Sequence, residues 1–455
     1  EGIESYQSVK GGLEGIVVGE VLTCVQHENA DRLKVTTVDI GTGEPLQIVC
    51  GATNVAAGQK VPVATIGATL YTGEGEAWTI KKGKIRGEES QGMICAEDEI
   101  GIGTDHAGII VLPENAVPGT LAKDYYNIKS DYVLEVDITP NRADCLSIKG
   151  LAREVAALTQ CENRPLALQT ASVQSGKTQP LRIDAPPDCG SFIRRVIETV
   201  DAGAVTAEWL KQRLQRSGIR SISALVDIGN YVMLELGQPM HVFDADKLHG
   251  SIIVRRAENG ETLACLNEKT VTLADNTLVI ADEQGALSMA GLMGGEESAV
   301  SDGTRNIVLE AAWFAPAIIA GKSRQYGFGS DSAFRFEPGV DWTLQADAIE
   351  RATELVLQIC GGEAGALTEA LGQLPAANRV EVRLSRVETL LGVHIEAAQV
   401  EAILRHLGLS PKATAEGFSV SAPSFRFDIE IEADVIEEIG RVYGYDNIPD
   451  ERTSG

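Results

Sequence analysis

The sequence predicts a multidomain α+β protein with a small β-barrel, a mixed α/β domain and a small winged-helix-like C-terminal domain. Its 455 residues are enough for about three domains. The 44% hydrophobic and 23% charged residues are typical of a globular protein. Short β-like segments fill residues 14–123, helical and strand-like patterns alternate over residues 181–372, and helical patterns prevail in residues 378–451.

The first predicted domain, residues 14–123, is a small closed barrel. Its β-like segments are short and are separated by turn residues, as in small all-β barrels. They read GIVVGEVLTCVQH, LKVTTVDIG, LQIVCGA, KVPVATIGATL and GMICAEDEIGI. Residues 1–13 show no signal-peptide pattern. They also lack an initiator Met, so the true N-terminus is expected to lie upstream of them.

Residues 124–160 are predicted to form a strand followed by a helix. Apolar residues first alternate, as in a half-buried strand, and then recur at helical spacing after a turn at Pro140 and Asn141. The two sets are Tyr132, Leu134, Val136 and Ile138, then Ile148, Leu151, Val155 and Leu158. A linker rich in Gln, Ser, Thr and Pro is expected over residues 161–180.

The largest predicted domain, residues 181–372, mixes helices and strands. Ala207 to Arg216 form a helical pattern that stops at Gly218. The segments IIVRRA and TLVIAD are typical of strands.

The last predicted domain, residues 378–451, has a strand RVEVRL followed by two helices. Ser385 and Glu388 are spaced as a capping box for the first helix, and Gly408 ends the second. A further helix places its apolar residues on one face and three acidic residues on the other. The apolar residues are Val435, Ile436, Ile439, Val442 and Tyr443, and the acidic ones are Asp434, Glu437 and Glu438.

Composition and charge exclude several classes of protein. The net charge of −26 argues against a general nucleic-acid binder, because phosphate contacts need local Lys and Arg. One basic cluster could meet RNA or could be a solvated strand and turn: Lys81, Lys82, Lys84 and Arg86. The eight cysteines occur singly, without a CxxC pair for zinc or redox chemistry. No apolar run approaches the roughly 18 residues that a membrane span needs, so a cytoplasmic protein is expected.

Taken alone, the candidate site residues have two interpretations. His241 could be a hydrogen-bonded structural residue, and Glu310, which is flanked by apolar residues, could be a charge at a strand end. Gly294 could belong to a simple turn. The acidic residues near the C-terminus could bind Mg²⁺, or they could favour the helix dipole and pair with Arg441.

Peptides along most of the chain resemble the bacterial phenylalanyl-tRNA synthetase β subunit. The barrel resembles the family's oligonucleotide-binding-fold tRNA-binding domain, and residues 181–372 resemble its mixed α/β editing domain. The peptides of the barrel are VGEV, HENADRLKVTTVDIG, LQIVCGATNV and KIRGEESQGMICAEDEIGI. The later ones are TPNRADCLSIKGLAREVA, GIRSISALVDIGNYVMLELGQPMHVFDADKL, GLMGGEESAVSDGTRNIVLEAAWF, GFGSDSAFRFEPGVD and RFDIEIEADVIEEIGRVYGY.

The resemblance implies a site that hydrolyses tRNA(Phe) wrongly charged with tyrosine. It makes Glu310 the carboxylate that recognises the phenolic hydroxyl, because a buried polar partner rejects phenylalanine better than shape does. The implied pocket also includes Pro239, His241, Gly294, Asn230, Arg220, Ser330 and Ser332. The family usually has Thr and Ala where this chain has Ser330 and Ser332. Hydrolysis is expected to use a positioned water and the substrate's own groups.

The resemblance also implies a magnesium site and a set of partners. Its magnesium ligands match Asp428, Asp434, Glu437 and Glu438. The implied partners are tRNA(Phe) and a catalytic α subunit in an α2β2 heterotetramer, which uses ATP for aminoacylation. The chain itself has no P-loop motif. The resemblance also makes residues 1–13 the remnant of an N-terminal helical domain, with which residues 124–160 are expected to pack. Two functions stay open, a β subunit with a working editing site and a noncatalytic tRNA-binding and assembly module with an inactive editing fold.

Overall fold

The computed structural model of the chain describes residues 2–8, 13–71, 77–102, 106–126 and 132–449. Two compact units are present, Ile3–Val136 and a larger one made of Glu1–Gly2 with Asp137–Gly455. The predicted strand and helix of residues 124–160 therefore fall into different units. Residues 1, 9–12, 72–76, 103–105, 127–131 and 450–451 of the predicted domains lie outside the described residues.

The N-terminal part of the chain is built mainly from strands. They are β1 (Gly2–Ser8), β2 (Ile16–Gln26), β3 (Lys34–Asp39), β4 (Leu46–Cys50), β5 (Lys60–Thr65), β6 (Thr69–Tyr71), β7 (Ala77–Thr79), β8 (Gly83–Ile85), β9 (Glu88–Ser90), β10 (Gly92–Ile94) and β11 (Tyr132–Asp137). Two short helices are α1 (Glu97–Ile100) and α2 (Ala122–Tyr125). Strand β1 pairs with β11, so residues 2–8 are extended.

The five central strands form a nearly closed barrel in the order β10-β5-β2-β3-β4. Near its open seam, the amide of Val49 donates to Ser90 Oγ at 3.2 Å, and the amide of Gln91 donates to the carbonyl of Gln47 at 2.9 Å. Alternate residues of the strands are buried inside, among them Val21, Val38, Ile48, Val61 and Val63. The predicted barrel is confirmed, except that it is nearly and not fully closed.

The larger unit contains a helix that precedes its main domain, the main domain itself and a C-terminal domain. The helix is α3 (Ile148–Thr159), and a 3₁₀ turn (Ala143–Cys145) comes just before it. The strands of the main domain are β12 (Leu181–Ile183), β13 (Cys189–Glu198), β14 (Met240–Asp244), β15 (Ile252–Arg256), β16 (Thr262–Ala264), β17 (Thr270–Thr272), β18 (Leu278–Ala281), β19 (Ala286–Met289), β20 (Met293–Gly294), β21 (Ile307–Phe314), β22 (Glu363–Ala364) and β23 (Thr368–Leu371). Its helices are α4 (Glu208–Arg216), α5 (Ala224–Leu236), α6 (Pro316–Ile319), α7 (Lys322–Tyr326), α8 (Asp331–Phe336) and α9 (Gln345–Ile359), and Ala245–Lys247 form a 3₁₀ turn.

The main domain has three layers: a layer of helices, a first sheet and a second sheet. Strand β21 of the first sheet alternately contacts the helices and the second sheet. One sheet has the order β14-β21-β13-β22, with β23 also on β13, and the other has the order β12-β15-β18-β19-β20. Ile307, Leu309 and Ala311 pack against α4, α5 and α9, whereas Val308 and Ala312 pack between the two sheets. Because successive strand residues point to opposite faces, Glu310 belongs to the face between the sheets.

Residues 161–180 contain no helix or strand, in line with the predicted linker, but the end of this segment is bound to the main domain. The amides of Gln174 and Ser175 both donate to the carbonyl of Ala364, at 2.8 and 3.1 Å. The amide of Ala171 donates to Glu350 Oε2 at 2.9 Å. These hydrogen bonds therefore hold this part of the linker against the main domain.

The C-terminal domain combines a three-stranded antiparallel sheet with three helices. Its elements are β24 (Arg379–Arg383), α10 (Leu384–Leu391), α11 (Ala397–His406), β25 (Ser410–Ala413), β26 (Gly417–Ser421), α12 (Glu432–Tyr443) and a 3₁₀ turn (Tyr445–Asn447). The predicted capping box is wrong, because α10 starts earlier and Ser385 lies inside it. The amide of Arg383 donates instead to Glu432 Oε1 at 2.9 Å, from across the domain.

Helix α3 exposes most of its predicted apolar stripe. Ile148, Val155 and Leu158 are each at least half exposed, and the helix buries Glu154 and Ala157 instead. Ala157 joins the core of the C-terminal domain. Burial of Glu154 is possible because Arg142 and Arg441 both pair with it.

Candidate functional site

Two neighbouring cavities lie in the main domain, and the residues Met240 and His241 line both. The narrow cavity, of about 70 Å³, lies between the two sheets. The wide cavity, of about 600 Å³, lies beside α5 and β14. Of the residues predicted from the sequence, the narrow cavity brings together Pro239, His241, Gly294, Glu310 and Ser332. The wide cavity is lined by Arg220, Asn230 and His241.

Strand pairing places His241 and Glu310 side by side. The two residues are directly opposite each other in the antiparallel pair of β14 and β21. Directly opposed residues share a face of the sheet, so both side chains enter the space between the sheets. Phe243, two residues along β14, packs edge-on against the His241 ring with the ring centroids 4.4 Å apart.

Burial makes both side chains neutral near pH 7. Desolvation raises the pKa of Glu310 to about 8 and lowers the pKa of His241 to about 4. The Nε2 atom of His241 is buried and has no hydrogen-bond partner. The cavity therefore holds a carboxylic acid and a neutral imidazole that are both available to a polar ligand.

Gly294 on β20 allows the second sheet to approach His241 closely. A Cβ atom at this position would lie 2.7 Å from His241 Cε1 and 2.8 Å from Leu266 Cδ1. Such contacts are too short for carbon atoms, so a side chain here would displace the imidazole ring. Gly294 is therefore needed for the shape of the cavity, and it lies in a strand and not in a simple turn.

The two serines of the predicted pocket have different positions. Ser332 lines the narrow cavity. Ser330 lines neither cavity, and its hydroxyl instead donates to the carbonyl of Leu292 at 2.7 Å and accepts from the amide of Ala333. Ser330 therefore caps α8 and fixes Leu292, which is itself part of the cavity wall.

A buried carboxylate that sequence patterns did not single out shapes the wide cavity. Asp227 on α5 accepts hydrogen bonds from Thr206 Oγ1 and Ser221 Oγ, both at 2.6 Å, and from the amide of Ile222 at 2.8 Å. It thereby fixes the loop that presents Arg220 to the cavity. The peptide containing Asp227 was recognised, but its bonds to Thr206 and Ser221 have no local signal. The narrow cavity has further unpredicted wall residues, namely Met240, Ile280, Ser288, Met289, Gly291, Leu292, Met293, Phe314 and Phe336.

The basic cluster of the barrel lies on an exposed hairpin. Lys84 is in β8, and Arg86 with Gly87 forms the two-residue turn to β9. Both turn residues have positive φ, as a tight hairpin requires. The four predicted basic residues are all exposed, and Lys82 pairs with Glu89 at 3.2 Å.

The four carboxylates matched to magnesium ligands do not form one group. Glu438 is buried, and it accepts from Arg426 at 2.7 Å and from Arg441 at 2.8 Å. Although burial opposes its charge, these arginines lower the pKa of Glu438 to about 2. Arg426 also binds Asp428 with two hydrogen bonds, at 2.9 and 2.8 Å.

The other two carboxylates are also separated. Asp434 accepts from the amides of Glu430 and Ile431, both at 2.8 Å, and Glu437 is exposed. Across the part of the chain that the structure describes, no three His, Cys, Asp or Glu side chains are grouped so that they could hold a metal ion. The arrangement thus fits arginine pairing and not a magnesium site formed by this chain alone.

Among the helices of residues 2–8, 13–71, 77–102, 106–126 and 132–449, none has the length and apolar character that crossing a bilayer requires.

Three domain-family models match the chain. They are a putative tRNA binding domain over residues 16–121, a B3/4 domain over residues 188–361 and a tRNA synthetase B5 domain over residues 380–445. Their ranges agree with the barrel, the main domain and the C-terminal domain described above.

Curated relatives align with almost the whole chain. The phenylalanine–tRNA ligase beta subunits of Neisseria gonorrhoeae and of Neisseria meningitidis serogroup B are 66% and 64% identical over 454 residues. Both alignments cover 100% of this chain and 57% of the relative. The beta subunit of Chromobacterium violaceum is 52% identical over 447 residues, which are 98% of this chain and 56% of that relative. The chain thus spans a little more than half the length of these relatives, and it belongs to the phenylalanine–tRNA ligase beta subunit family.

Proposed function

We propose that the chain binds tRNA and hydrolyses tRNA(Phe) mischarged with tyrosine, as the editing part of a phenylalanine–tRNA ligase. The observation that carries this proposal is the narrow cavity, in which a buried carboxylic acid, Glu310, faces the same space as His241. The match of residues 188–361 to a B3/4 domain and of residues 16–121 to a tRNA binding domain supports it.

Glu310 gives the cavity a means to select tyrosine. Its carboxyl group can pair with a phenolic hydroxyl, whereas a phenylalanine ring would bury it without a partner. An unpaired buried polar group costs about 1–3 kcal/mol, which corresponds to a preference of roughly tenfold or more. Selection by a hydrogen bond is stronger than selection by shape when two ligands differ by one hydroxyl.

The two cavities suggest how a mischarged tRNA would lie. The tyrosine ring would enter the narrow cavity, and the terminal adenosine would occupy the wide one, with the ester bond near His241 between them. A volume of about 70 Å³ is smaller than the about 150 Å³ that accommodates benzene, so wall side chains must move when the ring enters. Phe314 and Phe336, whose ring centroids are 5.1 Å apart on this wall, are among the side chains that would have to move.

His241 is suited to hold water and less suited to accept its proton. With a pKa of about 4, the imidazole is too weak a base for efficient proton abstraction near pH 7. Its Nε2 atom, which has no protein partner, can orient a water molecule next to the ester. Hydrolysis would then depend on positioning and on groups of the tRNA itself.

The wider role is part of the same proposal. We expect the chain to assemble with a catalytic α subunit in an α2β2 heterotetramer that charges tRNA(Phe) with the use of ATP. The exposed hairpin with Lys81, Lys82, Lys84 and Arg86 is the expected tRNA contact of the barrel. Magnesium binding by Asp428 and Glu438 would require the release of both from Arg426, or further ligands from a partner chain.

A deacylation assay tests the proposed activity. Purified chain, alone and with its α partner, should release tyrosine from mischarged tRNA(Phe) and leave phenylalanyl-tRNA intact. Glu310→Ala should reduce that preference by about tenfold, because the hydroxyl loses its partner. The matched control is Glu258→Ala, which removes an exposed carboxylate of the same domain. A wild-type chain that releases neither amino acid would favour the noncatalytic tRNA-binding module.

A further inference from the structure

A buried serine of the second sheet lines the narrow cavity. Ser288 of β19 is 4% exposed, and the cavity that it lines also contains His241 and Glu310. Among the residues that the structure describes, none forms a hydrogen bond with the Ser288 hydroxyl. A hydroxyl at a cavity wall without a protein partner is available to a ligand, to which it can both donate and accept.

Strand register determines the face on which Ser288 lies. Ser288 is directly opposite Ile280 of β18 on one side and Gly294 of β20 on the other. Directly opposed residues share a face of the sheet. Ile280 belongs to the core between the two sheets, and Gly294 approaches His241 closely. Ser288 is therefore the middle residue of a row that faces the first sheet.

The stacking of the two sheets brings this row over His241 and Glu310. At one edge β20 meets β14, because a Cβ atom at Gly294 would lie 2.7 Å from His241 Cε1. At the opposite edge β12 contacts β23. The strand orders of the two sheets therefore run in the same direction, so the next strands inward, β19 and β21, also face each other. Ser288 of β19 accordingly lies on the side of the cavity that faces Glu310 of β21.

We propose that Ser288 is a second residue that recognises the ring hydroxyl of the substrate, which it holds together with Glu310. A phenolic hydroxyl can donate one hydrogen bond and accept another at the same time. Glu310 from the first sheet and Ser288 from the second can each supply one partner. A ring without the hydroxyl leaves both groups unpaired, which strengthens its rejection. The inference rests on the proposed function, since it adds a specificity-determining residue to the same cavity.

Hydrolysis of two esters measures the contribution of Ser288. Ser288→Ala should lower kcat/KM for tyrosyl-tRNA(Phe) by about threefold to tenfold, the loss expected for one neutral hydrogen bond. Ser288→Cys, which has nearly the size of serine but is only a weak donor, should also show a loss. The rate for phenylalanyl-tRNA should not fall in either variant. The matched control is Ser298→Ala, which removes a buried hydroxyl of the same domain that lines neither cavity and should change neither rate.

A double variant tests whether both residues hold the same hydroxyl. Ser288→Ala with Glu310→Ala should lower kcat/KM for tyrosyl-tRNA by less than the product of the two single losses. The reason is that a hydroxyl released by one residue is no longer well placed for the other, so the two effects are coupled. Losses that simply multiply would place Ser288 at a separate part of the substrate and would overturn the assignment.

Binding of non-hydrolysable ligands separates this assignment from the proposed activity. Adenosine that carries tyrosine through an amide in place of the ester should bind the wild-type chain about threefold to tenfold more tightly than the Ser288→Ala chain. The same ligand with chlorine in place of the ring hydroxyl should bind both chains equally. Wild-type chain that hydrolyses neither ester but shows this pattern would refute the proposed activity and support the role of Ser288. Equal affinity of the two chains for the tyrosyl ligand, or an equal loss for both ligands, would refute that role.

Discussion

Replacing Glu310 by Gln should stabilise the main domain, and more so as the pH rises. Burial raises the pKa of Glu310 from 4.5 to about 8, so the folded state holds a proton that the unfolded state has released. The folded state is thus favoured below pH 4.5 and loses this advantage as the pH rises towards 8. The loss is about 3 kcal/mol at pH 7 and about 5 kcal/mol above pH 8. The Gln side chain has nearly the same shape as the neutral carboxylic acid but does not titrate, so the variant does not lose this stability.

His241 changes stability with pH in the opposite direction. Its pKa falls from 6.5 to about 4 on folding, so it adds about 3 kcal/mol as the pH rises between these values. Since Glu310→Gln retains His241, this contribution cancels in the comparison of the variant with the wild type.

Native-state hydrogen exchange of the β21 amides gives the local free energy without assuming that both units unfold together. The variant and the wild type should be equally stable near pH 4.5, and the variant should gain steadily up to pH 8. The exposed control, Glu258→Gln, should show no such trend. A difference between variant and wild type that is independent of pH, or a wild type more stable at pH 8, would refute the burial argument.

Three further predictions concern other parts of the chain. Gly294→Ala should lower tyrosyl-tRNA hydrolysis by about tenfold or more, because the new methyl group displaces His241, and Gly176→Ala, whose Cβ meets nothing within 4 Å, should not. Replacing Lys81, Lys82 and Lys84 by Ala should weaken tRNA binding and reduce the salt slope by about 0.7–0.9 for each phosphate that the chain no longer neutralises. An unchanged slope would place the tRNA elsewhere on the chain, and because Lys82 already pairs with Glu89, Lys81 and Lys84 should contribute more. Magnesium chloride should raise the melting temperature no more than sodium chloride at equal ionic strength, since Arg426 and Arg441 already neutralise Glu438. A magnesium-specific increase that Asp434→Ala with Glu438→Ala abolishes would contradict this interpretation.

Local patterns predicted much of the fold. The apolar periodicity of the barrel strands and of α4, α11 and α12 is set by which face each element buries, and that information lies within a few residues. The capping box failed because Arg383 finds its partner in Glu432, which is distant in the sequence. The stripe of α3 was misleading for a similar reason, since its buried Glu154 depends on Arg441.

The candidate site was found through recognised peptides and not through spacing. Those peptides supplied His241, Gly294 and Glu310, and the pairing of β14 with β21 then places the first and last of these together. Neither the neutral state of Glu310 nor the role of Asp227 could be predicted, because both depend on burial and on loops that meet only in the folded chain.

The contacts between α3 and the C-terminal domain determine how short an expression fragment can be. Arg441 of α12 binds Glu154 of α3, and Ala157 of the same helix completes the core of the C-terminal domain. A fragment limited to residues 380–445, the range of the B5 family model, would leave Arg441 without Glu154 and expose an apolar gap. Losing both the ion pair and the apolar contact lowers the free energy of unfolding of a small domain, which is only marginally stable to begin with. The sequence family and the folding unit therefore have different boundaries here, and an expression fragment should include α3.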